Sequence, residues 1–525
     1  MNKTLFEKIA SPTEAGETER PLGWSGALLS EVCEINPAKP FTDDLKADEL
    51  VTFVPMPAVD ADAGVITSPQ VRRFSDVRKG FTAFRNGDVI MAKITPCMEN
   101  GKAAIASGLT NGLGFGSTEF HVLRSTGAVL AGLVYYFIRQ ESFRRAAESE
   151  MTGSVGQKRV PVEFLRFSEI PLPPFAEQER IVAKVGELLV RVNVAREHLA
   201  RVPAILKRFR QAVLAAACDG RLTGDWRQQH PGLAIPAPKL TPASEGRPRG
   251  RRGANLSAAG ELILDEAMPE IPVSWSFLRA DSVVAPETVI TYGIVLPGPE
   301  VPGGVPYVRQ QDIEDGVIRL DGIRHTSQEI ARKHDRSSLR GGDVLLCIIR
   351  NLRVALVTKA LDGANITQGS VRLRPSHWIL GPYLVAFLSS RYAQAWMKSR
   401  YFGMDMPRIN VEDARALPIA VPPVLEQYEI VRRVEALFRL ADAVEKRVAA
   451  ATARAGKLTE AILARAFRGE LVPTEAELAR REGREYERAA ALLERVRGES
   501  TTANTRDEGR RIAGAAKRVR ARVDG

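Results

Sequence analysis

The chain is poor in the residues that build covalent or metal-held frameworks. Of its 525 residues only four are cysteines, Cys33, Cys97, Cys218 and Cys347, and none forms a CxxC pair. That argues against a disulfide scaffold or a zinc site and for a reducing compartment. The six histidines show no HExxH or other ligand spacing, so no metal site is expected. There is no GxxxxGK[ST] phosphate loop: Gly456-Lys457 is followed by Leu458 inside a helical pattern. No Glu-x-Lys occurs anywhere, which speaks against a nuclease centre of the PD-(D/E)xK type. The chain shows no catalytic centre, and no cofactor is expected on it. Long apolar runs are missing as well. The longest, AVLAGLVYYFI at 128–138, is too short to span a bilayer, and the N-terminus has no signal-peptide core. A soluble cytoplasmic protein with no membrane partner is the expectation.

What the chain does contain is a repeat. PPFAEQERIVAKVGELL opens residues 173–222, and PPVLEQYEIVRRVEALF opens residues 422–471. The two stretches align without a gap, pairing Pro173 with Pro422, Glu177 with Glu426, Gln178 with Gln427 and Gly220 with Gly469. Such self-similarity marks a tandem duplication of one large unit. In each copy apolar residues step by four and three, through Ile181, Val185, Leu188 and Leu199 in the first and Ile430, Val434, Leu437 and Val448 in the second. An average period of 3.5 over several heptads is a coiled-coil seam. About 40 helical residues would span roughly 60 Å. Each such helix needs a partner, and the other copy is the obvious one; the alternative is two independent helices, each packed on its own domain. Pro-Pro opens each helix and Gly220 or Gly469 closes it. Pro203 should kink or break the first copy.

The regions outside the repeat divide accordingly. Residues 1–20 read as a polar N-terminus, 21–172 as a first globular module, 173–222 as the first spacer helix and 223–270 as a Pro/Gly/Arg-rich linker. Residues 271–421 form a second module, 422–471 the second spacer helix and 472–525 a basic C-terminal extension. In the first module β-type runs (VTFVPM, VIMAKI, FHVLR) precede a helix-like stretch, VLAGLVYYFIRQESFRRAAESE, which indicates an α+β fold. The second module mirrors it: Trp275 stands opposite Trp24, and LRGGDVLLCII opposite FRNGDVIMAKI. Between these anchors the modules share little. The clusters Arg247, Arg249, Arg251, Arg252 and Arg510 to Arg522 read first as solvated segments, with backbone contact to nucleic acid as the alternative. The net charge of +11 and pI of about 9.5 bias the chain toward a polyanion partner, yet 63 acidic residues against 74 basic ones exclude a simple basic tail protein.

IPLPPF is similar to the amine-binding motif of amino-methyltransferases, but its polar position is Leu172 here, and Val421 in the second copy. Neither can accept a hydrogen bond from a target amine. The chain as a whole resembles another family. Two divergent modules, each closed by PPxxEQxxIVxxVxxL and AxLAxAxxGxL, look like the specificity subunit of type I restriction–modification systems, over about residues 20–472. The resemblance implies two target recognition domains separated by a pair of long antiparallel coiled-coil helices. It implies a non-catalytic subunit that reads a bipartite site on double-stranded DNA, one half-site per module. It also implies docking of two methyltransferase subunits and of restriction/translocase subunits, with S-adenosylmethionine, ATP and Mg carried by those partners. A stand-alone methyltransferase and a coiled-coil assembly protein without sequence preference remain as other readings.

Candidate readers are loop residues with base-edge chemistry: Lys93, Asn100, Ser154, Gln157, Lys158 and Arg159 in the first module. In the second they are Arg309, Gln310, Gln311, Arg350, Asn351, Arg353, Arg408 and Asn410. Arginine pairs with guanine edges, and Asn and Gln with adenine. Gln157–Arg159 and Arg408 stand out because they hold equivalent places before the spacers.

Overall fold

The computed structural model describes residues 20–39, 45–61, 63–154, 156–233, 268–314 and 316–499. The arginine clusters at 247–252 and 510–522 lie outside them. The chain forms two compact units: residues 1–200 with 450–525, and residues 201–449. The spacer helices, Phe175–Cys218 and Val424–Phe467, are each 44 residues long. Each therefore gives its first part to one unit and its last part to the other.

In the first unit the edge strands Ser25–Leu28 and Glu169–Leu172 pair antiparallel and bracket the module. Between them lie two four-stranded sheets. One holds Cys33–Ile35, Phe120–Ser125, Val89–Ala92 and Ala103–Ile105 in that spatial order; the other holds Gln70–Arg73, Leu50–Val54, Leu113–Gly116 and Thr82–Arg85. The stretch expected to be helical forms two helices, Ala131–Ile138 and Glu141–Ser149. The first lays Leu133, Val134, Phe137 and Ile138 into a core shared with Ile181, Val185 and Val192 of the first spacer helix and Ile462, Ala466 and Phe467 of the second. The Phe137 and Phe467 rings meet edge to face, 5.7 Å apart.

In the second unit the matching edge pair is Ser276–Arg279 with Pro418–Val421. It brackets a four-stranded sheet of Thr291–Tyr292, Ser370–Leu373, Val344–Cys347 and Val354–Leu356. A three-stranded sheet (Arg324–Thr326, Val305–Val308, Asn365–Ile366) replaces the first unit's second four-stranded one. Val213, Leu214, Ala217 and Cys218 join Ile430 and Val434 in this unit's core.

The helices run antiparallel within each unit. In the first, Arg180 pairs with Glu475 at 2.7 Å while Arg196 donates to the Ala455 carbonyl and Thr459 Oγ1. In the second, Arg210 bridges Asp442 and Glu445 at 2.7 and 2.8 Å while Arg433 donates to the Leu222 carbonyl. The expected seam residues Ile181, Val185, Ile430 and Val434 are buried, and Leu188, Leu199, Leu437 and Val448 half-buried. Leu458, also on the 3.5-residue pattern, is 51% exposed. The buried stripe there runs instead through Ala455, Thr459, Ile462 and Ala466. Pro203 does not break its helix, which continues through it. The ring sits on the exposed face, and one missing amide bond is outweighed by packing on both sides.

The repeat's signature residues weld each module to its helix. Trp24 Nε1 donates to Glu177 at 2.9 Å, and Trp275 Nε1 to Glu426 at 2.9 Å. The Gln178 amide accepts from Leu130 N and donates to the Ala128 and Pro173 carbonyls. Gln427 does the same with Leu380 N and the Trp378 and Pro422 carbonyls. All four side chains are buried, so each polar atom needs these partners. Gly469 and Gly220 close the helices at φ 73° and 79°. A Cβ on either would strike a proline ring at 2.4 Å, Pro21 and Pro272 respectively.

The beginnings of the linker and of the C-terminal extension are folded. Residues 221–229, the end of the first spacer and the start of the linker, form a short helical turn whose Arg227 ion-pairs with Glu426 and whose Asp225 pairs with Arg433. Residues 475–499 of the C-terminal extension fold onto the first unit, burying Ala489, Leu492, Leu493 and Val496. Among the described residues no helix is long and apolar enough to cross a membrane.

Candidate nucleic-acid interface

Each module's central strand enters its sheet from a tight turn, at Gly87 (φ 90°) and Gly342 (φ 95°), where only glycine is unstrained. The next residue is a buried aspartate. Asp88 takes a two-bond ion pair from Arg124 at 2.8 Å, and Asp343 the same from Arg374 at 2.7 and 2.8 Å. These pairs fix the strands Val89–Ala92 and Val344–Cys347 and so aim the loops that follow, residues 93–101 and 348–353.

Against each of these loops sits a hairpin that leads back toward the spacer helix, and the seats match bond for bond. Val160 N donates to the Lys93 carbonyl at 2.9 Å, and Ile409 N to that of Ile348 at 3.0 Å. Thr95 N donates to the Lys158 carbonyl, and Arg350 N to that of Pro407. Bridges join Ile94 with Arg159 and Ile349 with Arg408. At these points Ile94 and Ile349, and Arg159 and Arg408, are identical and Val160 matches Ile409 in kind, while Lys93, Thr95 and Lys158 stand opposite Ile348, Arg350 and Pro407.

The candidate readers fall into two groups. In the first module Lys93, Lys158 and Arg159 meet where hairpin and loop join, Gln157 and Ser154 are exposed on the hairpin, and Asn100 is exposed at the loop's far end. Arg159 is held by Glu119 through bonds of 2.8 to 3.2 Å. Glu119 is pushed below the usual carboxylate range, first by the Arg159 hydrogen bonds. His121 supports the hairpin from beneath, its Nε2 2.9 Å from the Val160 carbonyl, and burial lowers its pKa. In the second module Arg350, Asn351 and Arg408 come together. Arg350 is exposed, with φ 63°, a conformation that non-glycine residues adopt at a cost and that concentrates at functional loops. Arg408 is exposed and lies over the Phe402 ring at 4.9 Å. Gln310 is committed elsewhere: its amide donates to the Ile349 and Gly369 carbonyls at 2.7 Å, tying the loops together. Arg309 folds back on Asp312 at 2.7 and 2.9 Å. Arg353 donates to the Ile313 carbonyl while its residue stays exposed. Gln311 and Asn410 are exposed.

Sequence reasoning missed two features of this surface. Thr95 Oγ1 and Asn351 Oδ1 are buried in the matching loops and take no hydrogen-bond partner from the described residues. Met404 and Met406 stand exposed on the second hairpin. Their only sequence signal is that two of the chain's nine methionines fall in one short Gly-containing turn. Nothing here is built for bond chemistry. Among the described residues no cluster of His, Cys, Asp and Glu could hold a metal. The four cysteines are free; burial pushes the Cys33 thiol up to about 12 and that of Cys347 to about 11, far from a reactive thiolate. Two basic, loop-built surfaces on equivalent scaffolds suit phosphate and base-edge contacts.

Comparison with known proteins agrees with that geometry. Residues 299–451 match the family model of the type I restriction modification DNA specificity domain. The chain is 34% identical to the type I restriction enzyme EcoBI specificity subunit of Escherichia coli, over 66% of this chain and 68% of that one. It is 30% identical to the EcoKI specificity subunit of E. coli K12, over 72% and 74%. In fold it is similar to a chain solved in work on assembly and conformational transition of the type I R-M system (TM-score 0.62, 22% identity, 86% of this chain and 99% of that one). It is similar too to the HsdS subunit from Thermoanaerobacter tengcongensis (TM-score 0.53, 22% identity, 87% and 99%). With its duplicated weld between module and helix and its likeness to EcoBI and EcoKI over two thirds or more of their lengths, this chain belongs to the family of type I restriction enzyme specificity subunits.

Proposed function

We propose that the two loop-and-hairpin surfaces each read one half of a bipartite site on double-stranded DNA, and that the chain performs no catalysis. The observation that carries this is the matched seat of two hairpins whose backbone bonds and bridging Ile–Arg pair agree while the residues at their tips differ. One frame used twice with different reading groups suits a target of two unlike halves. Lysines and arginines supply the sequence-independent phosphate attraction, and a few exposed side chains supply the choice of base.

The spacer helices, shared by both units, act in this reading as the ruler that sets the number of unread base pairs. Half-sites about 34 Å apart, one helical turn, present their major grooves on one side of the duplex. The exposed faces of the same helices serve as the platform for two methyltransferase subunits, and restriction/translocase subunits join through them. S-adenosylmethionine, ATP and Mg then belong to those partners.

The test is a map of methylated adenines in cells with and without this chain. Methylation at every copy of one bipartite motif disappears on deletion. An unchanged map contradicts the proposal, and loss at scattered, unrelated sequences supports an assembly protein without specificity.

A further inference from the structure

The two hairpins share a seat but differ at the tip. In the first module Thr152 and Arg159 exchange backbone bonds of 3.0 and 2.8 Å, and the described residues between them, Gly153, Ser154, Gly156, Gln157 and Lys158, are glycine or polar. In the second, Phe402 and Arg408 exchange bonds of 3.0 Å and enclose Gly403, Met404, Asp405, Met406 and Pro407. Met404 is 101% exposed and Met406 46%. Gly403, at φ 90°, turns the chain so tightly that a Cβ would lie 2.9 Å from the Met406 carbonyl oxygen. The tip is a built turn that holds two thioethers in solvent, where they contribute nothing to the core.

Around these methionines the surface is polar: Arg350, Arg408 and Asn410 on the flanks and Asp405 between them, all exposed. A partner that suits this arrangement is polar over most of its surface and apolar at isolated points. On the base edges of duplex DNA the apolar group is the thymine C5-methyl, in the major groove beside hydrogen-bonding groups. Methionine suits that contact because it is unbranched, adaptable and polarisable. We propose that Met404 and Met406 are specificity-determining residues that recognise thymine methyl groups in the half-site read by the second unit. This rests on the reading of the hairpins as DNA-facing.

The experiment uses the full chain in complex with its methyltransferase subunits, on synthetic duplexes of the mapped motif with uracil in place of each thymine of the second unit's half-site in turn. Uracil keeps every hydrogen-bonding group and removes only the methyl. At one or two positions wild-type affinity falls about fourfold, the equivalent of about 0.8 kcal/mol per buried methyl. For Met404→Ala and Met406→Ala the thymine and uracil duplexes bind equally at the position each residue contacts. Uracil in the other half-site affects wild type and variants alike. The proposal is overturned if wild type is indifferent to uracil throughout this half-site, or if the variants lose as much as wild type does. It is overturned too if Met404→Ala leaves DNA affinity intact but releases the methyltransferase, which would make the tip a protein contact. Arg408→Ala separates this from the parent reading: a relaxed motif with Arg408→Ala alongside intact uracil tolerance refutes the methionine contact only, whereas no change with either refutes the DNA-facing hairpin itself.

Discussion

The two units differ least where a module meets its helix and most where it meets solvent. Trp24 with Glu177 and Trp275 with Glu426 make bonds of the same length, and Gly469 and Gly220 abut equivalent prolines. The hairpins, by contrast, keep their backbone bonds and bridging Ile–Arg pair but differ in the residues of the tip. The first unit's hairpin carries an Arg159 ion-paired to Glu119; the second unit's exposes Met404 and Met406 and stacks Arg408 on a ring. Buried groups of fixed geometry cannot drift without leaving a polar atom unsatisfied, whereas exposed tips can change at little cost to stability. Duplication that kept the welds and let the rest of each module diverge suits one scaffold with two different reading surfaces.

The welds themselves are not equal, and that inequality gives the largest expected effect. Glu426 is 1% exposed and is neutralised by Arg227, with Thr223 also donating to it. Its counterpart Glu177, besides the equivalent tryptophan bond, accepts from the Glu475 amide, and burial raises its pKa. Arg227→Ala therefore strands a buried carboxylate and destabilises the second unit by about 3 kcal/mol. Hydrogen exchange should accelerate around 272–280 and 417–434 with the first unit's protection unchanged; uniform acceleration would mean the two welds are coupled.

Next in size is the contrast between the two hairpin arginines. Arg408→Ala costs about 1–3 kcal/mol of specific binding if it pairs with a guanine, and relaxes one base position. Arg159→Ala, whose partner Glu119 already occupies the guanidinium, costs less and acts through the hairpin's position. Equal losses in a binding titration would erase the distinction between a free reader and a held one.

The smallest effect concerns Glu429, which Arg432 and then Arg433 hold down at about 2. Because the folded-state value lies below the ordinary one, its stabilisation is complete above about 4.5 and is lost as the pH falls toward about 2. Glu429→Gln lowers the second unit's stability at neutral pH by less than about 1 kcal/mol, Arg432 being largely exposed. Acid titration of wild type and variant should converge below about pH 2; a constant gap would remove the ion pair as the cause.

How much of this was legible in the sequence follows from the range of the interactions. Most of the seam was, because a 3.5-residue period is local; it failed at Ala195, which is exposed, and at Leu458, where Thr459 takes the inward place. The fold of residues 475–499 was open to the same reading, since Ala489, Leu492, Leu493 and Val496 have helical core spacing within a stretch of mixed charge. Arg309 could have been set aside, because Asp312 lies one helical turn away. Arg159 could not: Glu119 is a strand and two helices earlier in the chain, and only the fold brings them together. Met404 and Met406 were invisible because sequence reasoning counts methionine as core, and only exposure shows otherwise.

The central claim is that each unit reads its half-site independently. The direct test exchanges residues 29–161 for the corresponding segment of another family member, leaving both edge strands and the welds at Glu177 and Gln178 in place, and maps the methylated motif. The expected motif has a new first half, the second half unchanged and the spacing between them preserved. A motif altered in both halves, or in neither, would contradict it.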